Sequence, residues 1–307
     1  MLMKDALKAS GLQGYDTLDS EKAEGAANFL LNPIVMRTRM QVWRDKDMAL
    51  FQSCCRKKEL QIEPGQYRSA DRLRLSGYAF ATKEGKLFVP DEAKAAFASL
   101  DTPVFQKDRT QFSWVYDCME IAGMLYGYLD VEELQSLVRL NKAFTYDCDE
   151  VIKTLLAEKY CPLVLRKGEL QERHLAGTRS LEDLKIYHRD IARKYPLRQE
   201  IVTLANEGYP ADVRQFIPVK QFLQEKLGIE KNKCDGYCEV IYKRMSAGAT
   251  CEDIENELGF AMDDNTTAKF RNILGEAWLH SRLRLSNGAL AYMAIPRRVR
   301  IFQLNKA

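Results

Sequence analysis

The chain has 307 residues, with 46 Lys and Arg against 43 Asp and Glu for a formal charge of +3, and it is 46% apolar and 29% charged. A chain this long exceeds the usual size of one hydrophobic core, so two or three packed units are expected and bulk disorder is excluded. Nine Pro and 17 Gly among long charged-apolar stretches favour helix over a turn-rich all-β fold, and the near-zero balance excludes a globally basic coat for nucleic acid.

The first ten residues carry Lys4, Asp5 and Lys8 and lack the apolar core of a signal peptide, so export is not expected. The spacing predicts a helix from Ser20, with Ala23, Ala26, Ala27, Leu30 and Leu31 on one side, stopped by Asn32 and Pro33. Three short helices follow at 35–43, at 48–60 with Asp47 as N-cap, and at 69–76 ending on Gly77. Tyr78 to Ala81 and Lys86 to Val89 then read as a hairpin around Lys83, Glu84 and Gly85, and Pro90 opens another helix over 92–100.

Pro103 and the unperiodic polar residues of 101–111 predict a linker. Beyond it the order repeats. Val115, Cys118, Met119, Ala122 and Leu125 make one apolar stripe, broken near Gly127 and Tyr128, and Val131, Leu134, Leu137 and Val138 make the next. A third helix carries Val151, Ile152, Leu155 and Leu156. After Tyr160, Leu163 to Leu165 and Glu169 to Glu172 form a second hairpin pattern around Arg166, Lys167 and Gly168.

From Ser180, an expected N-cap, the remainder reads as helical: Leu184, Tyr187, Ile191 and Tyr195 on one face, then helices at 197–206, 219–227, 237–245 and 250–258. The last long helix starts after Asp263 or Asp264. Its residues Phe270, Ile273, Leu274, Ala277 and Trp278 make the clearest amphipathic stripe in the sequence.

Chemistry-bearing motifs are few. Three histidines, His174, His188 and His280, limit imidazole chemistry, and His174 sits in a polar surface-like stretch. Cys234 and Cys238 stand four apart without a second ligand pair, so they read as packing residues on a helix, and no metal or cofactor is expected. The eight cysteines, Cys54 and Cys55 adjacent among them, look like reduced packing residues of a cytoplasmic protein. No segment approaches the roughly 18 uncharged apolar residues of a membrane span. No phosphate loop, nucleophile elbow or zinc-protease motif occurs. Asp117 with Glu120, and Asp147 with Asp149, read as helix faces and helix N-termini and not as an acid-base pair, so no enzyme is expected.

Three helices followed by a two-stranded hairpin, met twice, resemble the winged-helix variant of the helix-turn-helix. The resemblance implies a third helix able to enter a major groove and a wing able to touch the backbone, although many proteins of this fold bind protein instead. The C-terminal half is also similar to the helical part of uncharacterised bacterial proteins that end in a SEC-C zinc motif, whose clustered Cys and His are absent here. The expected fold class is thus mainly α: tandem winged-helix-like units with short β-hairpins, followed by an all-α helical domain. The divisions fall at 1–32 for an arm and helix, 33–100 and 112–175 for the two units, and 180–307 for the helical domain with a basic tail.

Charge separates the two units. The first gathers Arg56, Lys57 and Lys58 before its third helix, Arg68, Arg72 and Arg74 on or beside that helix, and Lys83 and Lys86 on the wing. Phosphate neutralisation supplies much of the affinity for DNA, so these eight residues are the candidate duplex-DNA contacts of a non-enzymatic regulatory protein. The second unit is acidic between Asp117 and Glu150, opposed by Arg139 and Lys142, and suits a basic protein surface, or simple solvation, better than phosphates. The end is basic again, with Arg282, Arg284, Arg297, Arg298, Arg300 and Lys306, and the complementary acidic block favours an internal or protein contact for it. The alternative is a protein-interaction scaffold that binds no DNA. Oligomeric state does not follow from the sequence.

Overall fold

A computed structural model describes residues 2–9, 19–63, 65–82 and 84–294. The protein is mainly helical with small antiparallel sheets. It divides into two compact units, Met1–Trp114 and Val115–Ala307.

In the first unit the helices are α1 (Met3–Ala9), α2 (Ser20–Leu31), α3 (Pro33–Met40), α4 (Asp45–Arg56), α5 (Tyr67–Leu75) and α6 (Asp91–Leu100), and α7 (Pro103–Tyr126) begins there. Strands β1 (Phe80–Ala81) and β2 (Leu87–Phe88) lie between α5 and α6. Asn32 makes the corner between α2 and α3. Its N–H closes α2 on the Phe29 carbonyl, while its side chain accepts from the Ile34 and Val35 amides, and Pro33 enters at the position where its missing N–H costs nothing. The core is aromatic: the Trp43 ring meets Phe51 at 5.0 Å and Tyr78 at 6.0 Å, and Phe51 meets Phe97 at 5.1 Å, all edge to face. The Tyr78 hydroxyl, fully buried, donates to the Leu30 carbonyl at 2.8 Å. In the hairpin Phe80 pairs with Phe88, and Leu60 exchanges two 2.8 Å backbone bonds with Leu87, adding a third extended segment beside β2.

Two expectations fail here. Asp47 is not the N-cap of its helix, because α4 starts at Asp45 and Asp47 instead accepts the Arg44 amide from the third helical position. The expected linker at 101–111 is the first part of α7. Its periodicity is hidden because polar side chains, Arg109 and Gln111 on different sides of the helix, take buried positions. Arg109 spends its guanidinium on the Trp43 carbonyl at 2.8 Å, the Asp45 carboxylate at 2.6 Å and the Gln106 side chain at 2.8 Å. A fully bonded arginine can take an apolar position at little cost, and a hydropathy pattern cannot register it.

The second unit holds the rest of α7, then β3 (Tyr128–Leu129), α8 (Val131–Val138), α9 (Cys148–Leu156), β4 (Leu163–Arg166) and β5 (Glu169–Glu172). The three strands form one antiparallel sheet in the order β3-β5-β4, with Tyr128 opposite Gln171 and Val164 opposite Gln171 on the other side. The β4–β5 turn is the two residues Lys167 and Gly168, both at positive φ (51° and 82°), the conformation whose twist matches that of a hairpin. Strand β3 is absent from the sequence expectations. Two residues after a glycine at positive φ are too short to show alternation.

The remaining helices are α10 (Arg179–His188), α11 (Arg198–Glu207), α12 (Ile217–Glu225), α13 (Lys231–Ser246), α14 (Cys251–Leu258), α15 (Asp264–Leu279) and α16 (Ala291–Ala294). Thr178, not Ser180, caps α10, with its side chain accepting from the Leu181 amide. That helix stops at His188, short of Ile191 and Tyr195: the Arg189 and Ile191 amides close on the carbonyls three residues back, Ile186 at 3.3 Å and His188 at 2.9 Å, and the Ile191 carbonyl accepts from the Asn287 side chain at 2.9 Å. Thr250 caps α14 in a reciprocal box with Asp253, and Asp263 caps α15. Phe270, Leu274 and Ala277 of the α15 stripe are buried, and the Phe270 ring stacks on Phe222 at 5.1 Å. No described helix is long and apolar enough to cross a membrane.

Candidate interaction surfaces

The eight candidate DNA contacts fall into separate groups. Arg72 meets Asp47 with both Nε and Nη2 at 2.9 Å, and the Asp47 carboxylate is 1% exposed. This forked pair fastens α5 to the first turn of α4. Arg74 pairs with Asp71 one turn away at 3.2 Å, and Arg68 is half-buried. Arg56, Lys57 and Lys58 are exposed at the opposite end of α4, about 15 Å along the helix axis from Asp47 at 1.5 Å per residue. The Leu60–Leu87 pairing brings Lys86 to that same end, where its ammonium lies 3.5 Å from Glu59. Lys83 lies outside the described residues. The structure therefore joins Arg56, Lys57, Lys58 and Lys86 into one neighbourhood and places Arg72 at another.

The acidic stretch of the second unit serves helix starts. Asp130 and Glu133 form a reciprocal cap on α8, with Asp130 accepting the Glu133 amide at 2.7 Å, and Asp147 accepts the Glu150 amide at 2.9 Å on α9. On α9 itself Asp149, Glu150, Lys153 and Thr154 are exposed, while Val151, Ile152 and Leu155 are buried. Asp149 also accepts from the Gln135 side chain of α8.

Of the basic tail, Arg282 and Arg284 are described, and both turn inward. Arg284 donates to the carbonyls of Met124 and Gly123 at 3.2 Å, so a cation sits on the C-terminal carbonyls of α7, where the helix dipole favours it. Glu172 lies close enough to oppose the burial that lowers the Arg284 pKa. Arg282 binds Glu200 at 2.8 Å and the Gly288 carbonyl at 2.9 Å. Arg297, Arg298, Arg300 and Lys306 lie outside the described residues.

Around Arg284 lies a polar cluster that no sequence motif announces. The His188 ring, 3% exposed, has its Nε2 at 2.7 Å from the Arg284 carbonyl and stacks on Tyr128 at 5.7 Å. The Arg193 guanidinium lies over the Tyr126 and Tyr128 rings at 4.9 and 5.0 Å, ion-pairs with Glu133 and donates to the Asn287 side chain at 3.2 Å. Tyr195 donates to the same Glu133 at 3.1 Å, and the buried Tyr126 hydroxyl donates to the Lys194 carbonyl at 3.0 Å. Burial lowers the His188 pKa and raises that of Tyr126. Asn287, at φ 50°, and Gly288, at φ 76°, turn the chain here. A Cβ on Gly288 would lie 2.4 Å from the Tyr126 ring and 2.5 Å from the Lys194 carbonyl, so only glycine fits. The one local signal in the sequence is the Asn-Gly dipeptide; the partners are some 90 residues distant.

Cys234 and Cys238 are both fully buried on the inner side of α13, and His174 is exposed. No group of three or more His, Cys, Asp or Glu able to hold a metal occurs among the described residues. An apolar cavity of about 40 Å³ is lined by Met245, Cys251, Ile254, Leu274 and Trp278, and a wider open groove of about 380 Å³ by Arg214, Pro218, Ile273 and Glu276. No protein-family model, curated protein or solved structure matches this chain.

Proposed function

We propose that the protein is a non-enzymatic interaction protein in which residues 115–172 form a winged-helix-like module that binds a basic protein surface through α9. Support for the module comes from the order helix, strand, two helices, two strands, with β5 lying between β3 and β4 in the sheet. In that arrangement α9 is the third helix and the β4–β5 hairpin the wing. The observation that carries the partner class is the exposed surface at the start of α9, where Asp147, Asp149 and Glu150 stand against Lys153, with Lys159 exposed beyond the other end of the helix. Phosphates are repelled there, and a lysine- or arginine-rich protein surface is complementary.

A photo-crosslinking residue in place of Thr154 in the full chain, in its own cells, is expected to trap a protein of basic character. The double charge reversal Asp149→Lys with Glu150→Lys is expected to abolish the adduct. No adduct, or one indifferent to charge reversal, removes this reading.

The first unit supports a second reading. Its hairpin, with Leu60 added beside β2, resembles a wing less completely, since a single helix, α5, separates Leu60 from β1. The gathering of Arg56, Lys57, Lys58 and Lys86 favours duplex DNA at that end. In fluorescence-anisotropy titrations at several salt concentrations, this reading requires binding at low salt. It also requires the log-log salt slope to fall by about 0.9 for each phosphate that Lys57→Ala or Lys58→Ala leaves without its cation.

A further inference from the structure

The segment from Arg282 to Gly288 is held from several directions at once. His188 donates to the Arg284 carbonyl, Ser246 accepts the Arg284 amide at 2.9 Å, and Tyr242 donates to the Arg282 carbonyl at 2.6 Å. The Lys194 amide donates to the Asn287 carbonyl at 3.1 Å. The His188 bond fixes the tautomer, because a carbonyl accepts only: Nε2 carries the proton and Nδ1 holds a lone pair. Among the described residues nothing hydrogen-bonds to that Nδ1, which is fully buried.

We propose that His188 is an acid-sensitive latch: neutral, it ties the end of α10 to the 282–288 segment, and protonation at Nδ1 releases that segment.

The surroundings make the protonated state untenable. A proton on Nδ1 has no acceptor among the described residues and places a cation among cations. Arg193 and Arg284 both act on the ring with positive charge, and Lys185 stands 5.3 Å over Tyr128, the ring on which His188 stacks. The carboxylates nearby are engaged: Glu133 with Arg193, Glu169 with Lys185 at 2.6 Å, and Glu172 beside Arg284. Tyr128 and Tyr187 complete the surroundings as neutral rings whose pKa values burial raises. The Tyr126 hydroxyl and Asn287 hold the adjoining 191–194 turn.

Since burial holds the His188 pKa below the ordinary 6.5, the unfolded or opened chain binds the proton more tightly. Stability is therefore complete above that value and falls as pH drops through it, until the folded-state pKa is reached. One proton sets the limit at about a tenfold loss in the folding equilibrium constant per pH unit.

His188→Gln tests the latch, because a glutamine amide can donate to the Arg284 carbonyl and does not titrate. The expected result is a variant as stable as the parent at pH 8 by urea denaturation, with the decline that sets in below pH 6.5 reduced by this one group's share. Hydrogen exchange in the parent should show amides of 186–195 and 282–291 losing protection first on acidification. A folded variant with an unchanged decline overturns the proposal. Should the variant not fold, a background with His174 and His280 replaced by Gln decides: the remaining imidazole Cε1–H resonance is expected to titrate below the ordinary 6.5. Titration at 6.5 or above overturns it.

Discussion

Arg72 and Arg74 are two residues apart on α5, yet their side chains have different work. Asp47, to which Arg72 is forked, is sealed from water, whereas Asp71, to which Arg74 is paired, is 65% exposed. Removing Arg72 leaves a buried carboxylate without its counter-charge, which costs about 3–5 kcal/mol, while an exposed pair one turn apart contributes under about 1 kcal/mol. Arg72→Ala is therefore expected to lower stability by at least about 3 kcal/mol in urea denaturation, and Arg74→Ala by less than about 1 kcal/mol. Equal effects would show that the Arg72 fork is not structural. The distinction governs any DNA titration, since weaker binding by Arg72→Ala would report a loosened α4–α5 junction and not a missing phosphate partner. Sequence could point to basic residues in this region but could not sort them, because the sorting depends on a carboxylate 25 residues earlier. For the same reason the His188 cluster stayed hidden: its partners come from α7, β3, α8 and the 282–288 segment, and no window of sequence contains them.

At the scale of elements, what was legible is what local chemistry alone decides. Asn32 ends α2 and Asp263 opens α15 where the sequence places a stop and a start, and of the α15 stripe Phe270, Leu274 and Ala277 are buried while Ile273 and Trp278 are half-buried. Both hairpins follow from glycine-containing turns between apolar residues, and Lys167 accepts a positive φ because Gly168 follows it in a two-residue loop. Failures occur where tertiary contacts overrule the local pattern. The start of α7 looks like linker because a bonded arginine fills a core position. The end of α10 falls short of its apolar period, and the chain beyond it is held by Asn287, which bonds the Ile191 carbonyl and the Lys194 amide. Strand β3 exists only through β5, to which Leu129 and Tyr128 are paired; nothing in two residues could announce it.

For the molecule as a whole, the +3 charge conceals ion pairs that join residues well separated in sequence, as Arg193 with Glu133, Arg271 with Glu255 and Arg282 with Glu200. None of the eight cysteines is exposed. All are free thiols, five of them buried, and Cys161 packs its sulfur 3.7 Å from that of Met119. Burial pushes Cys54, Cys148 and Cys251 up to about 11 and Cys55 and Cys238 up to about 12, and it raises Cys118, Cys161 and Cys234 as well. The thiolate is the reactive form, so two units above the ordinary 9.0 leave about a hundredfold less of it at neutral pH, before access is considered. In a disulfide-exchange assay with a chromogenic reagent at pH 7.5, native Cys54, Cys55, Cys148, Cys238 and Cys251 should thus react at least about a hundredfold more slowly than free cysteine, and Cys118, Cys161 and Cys234 should also be slower than it. Full reaction should follow on adding guanidinium. A single native thiol reacting at the free-cysteine rate would identify a site whose surroundings favour the thiolate, contrary to the desolvation that raises all eight.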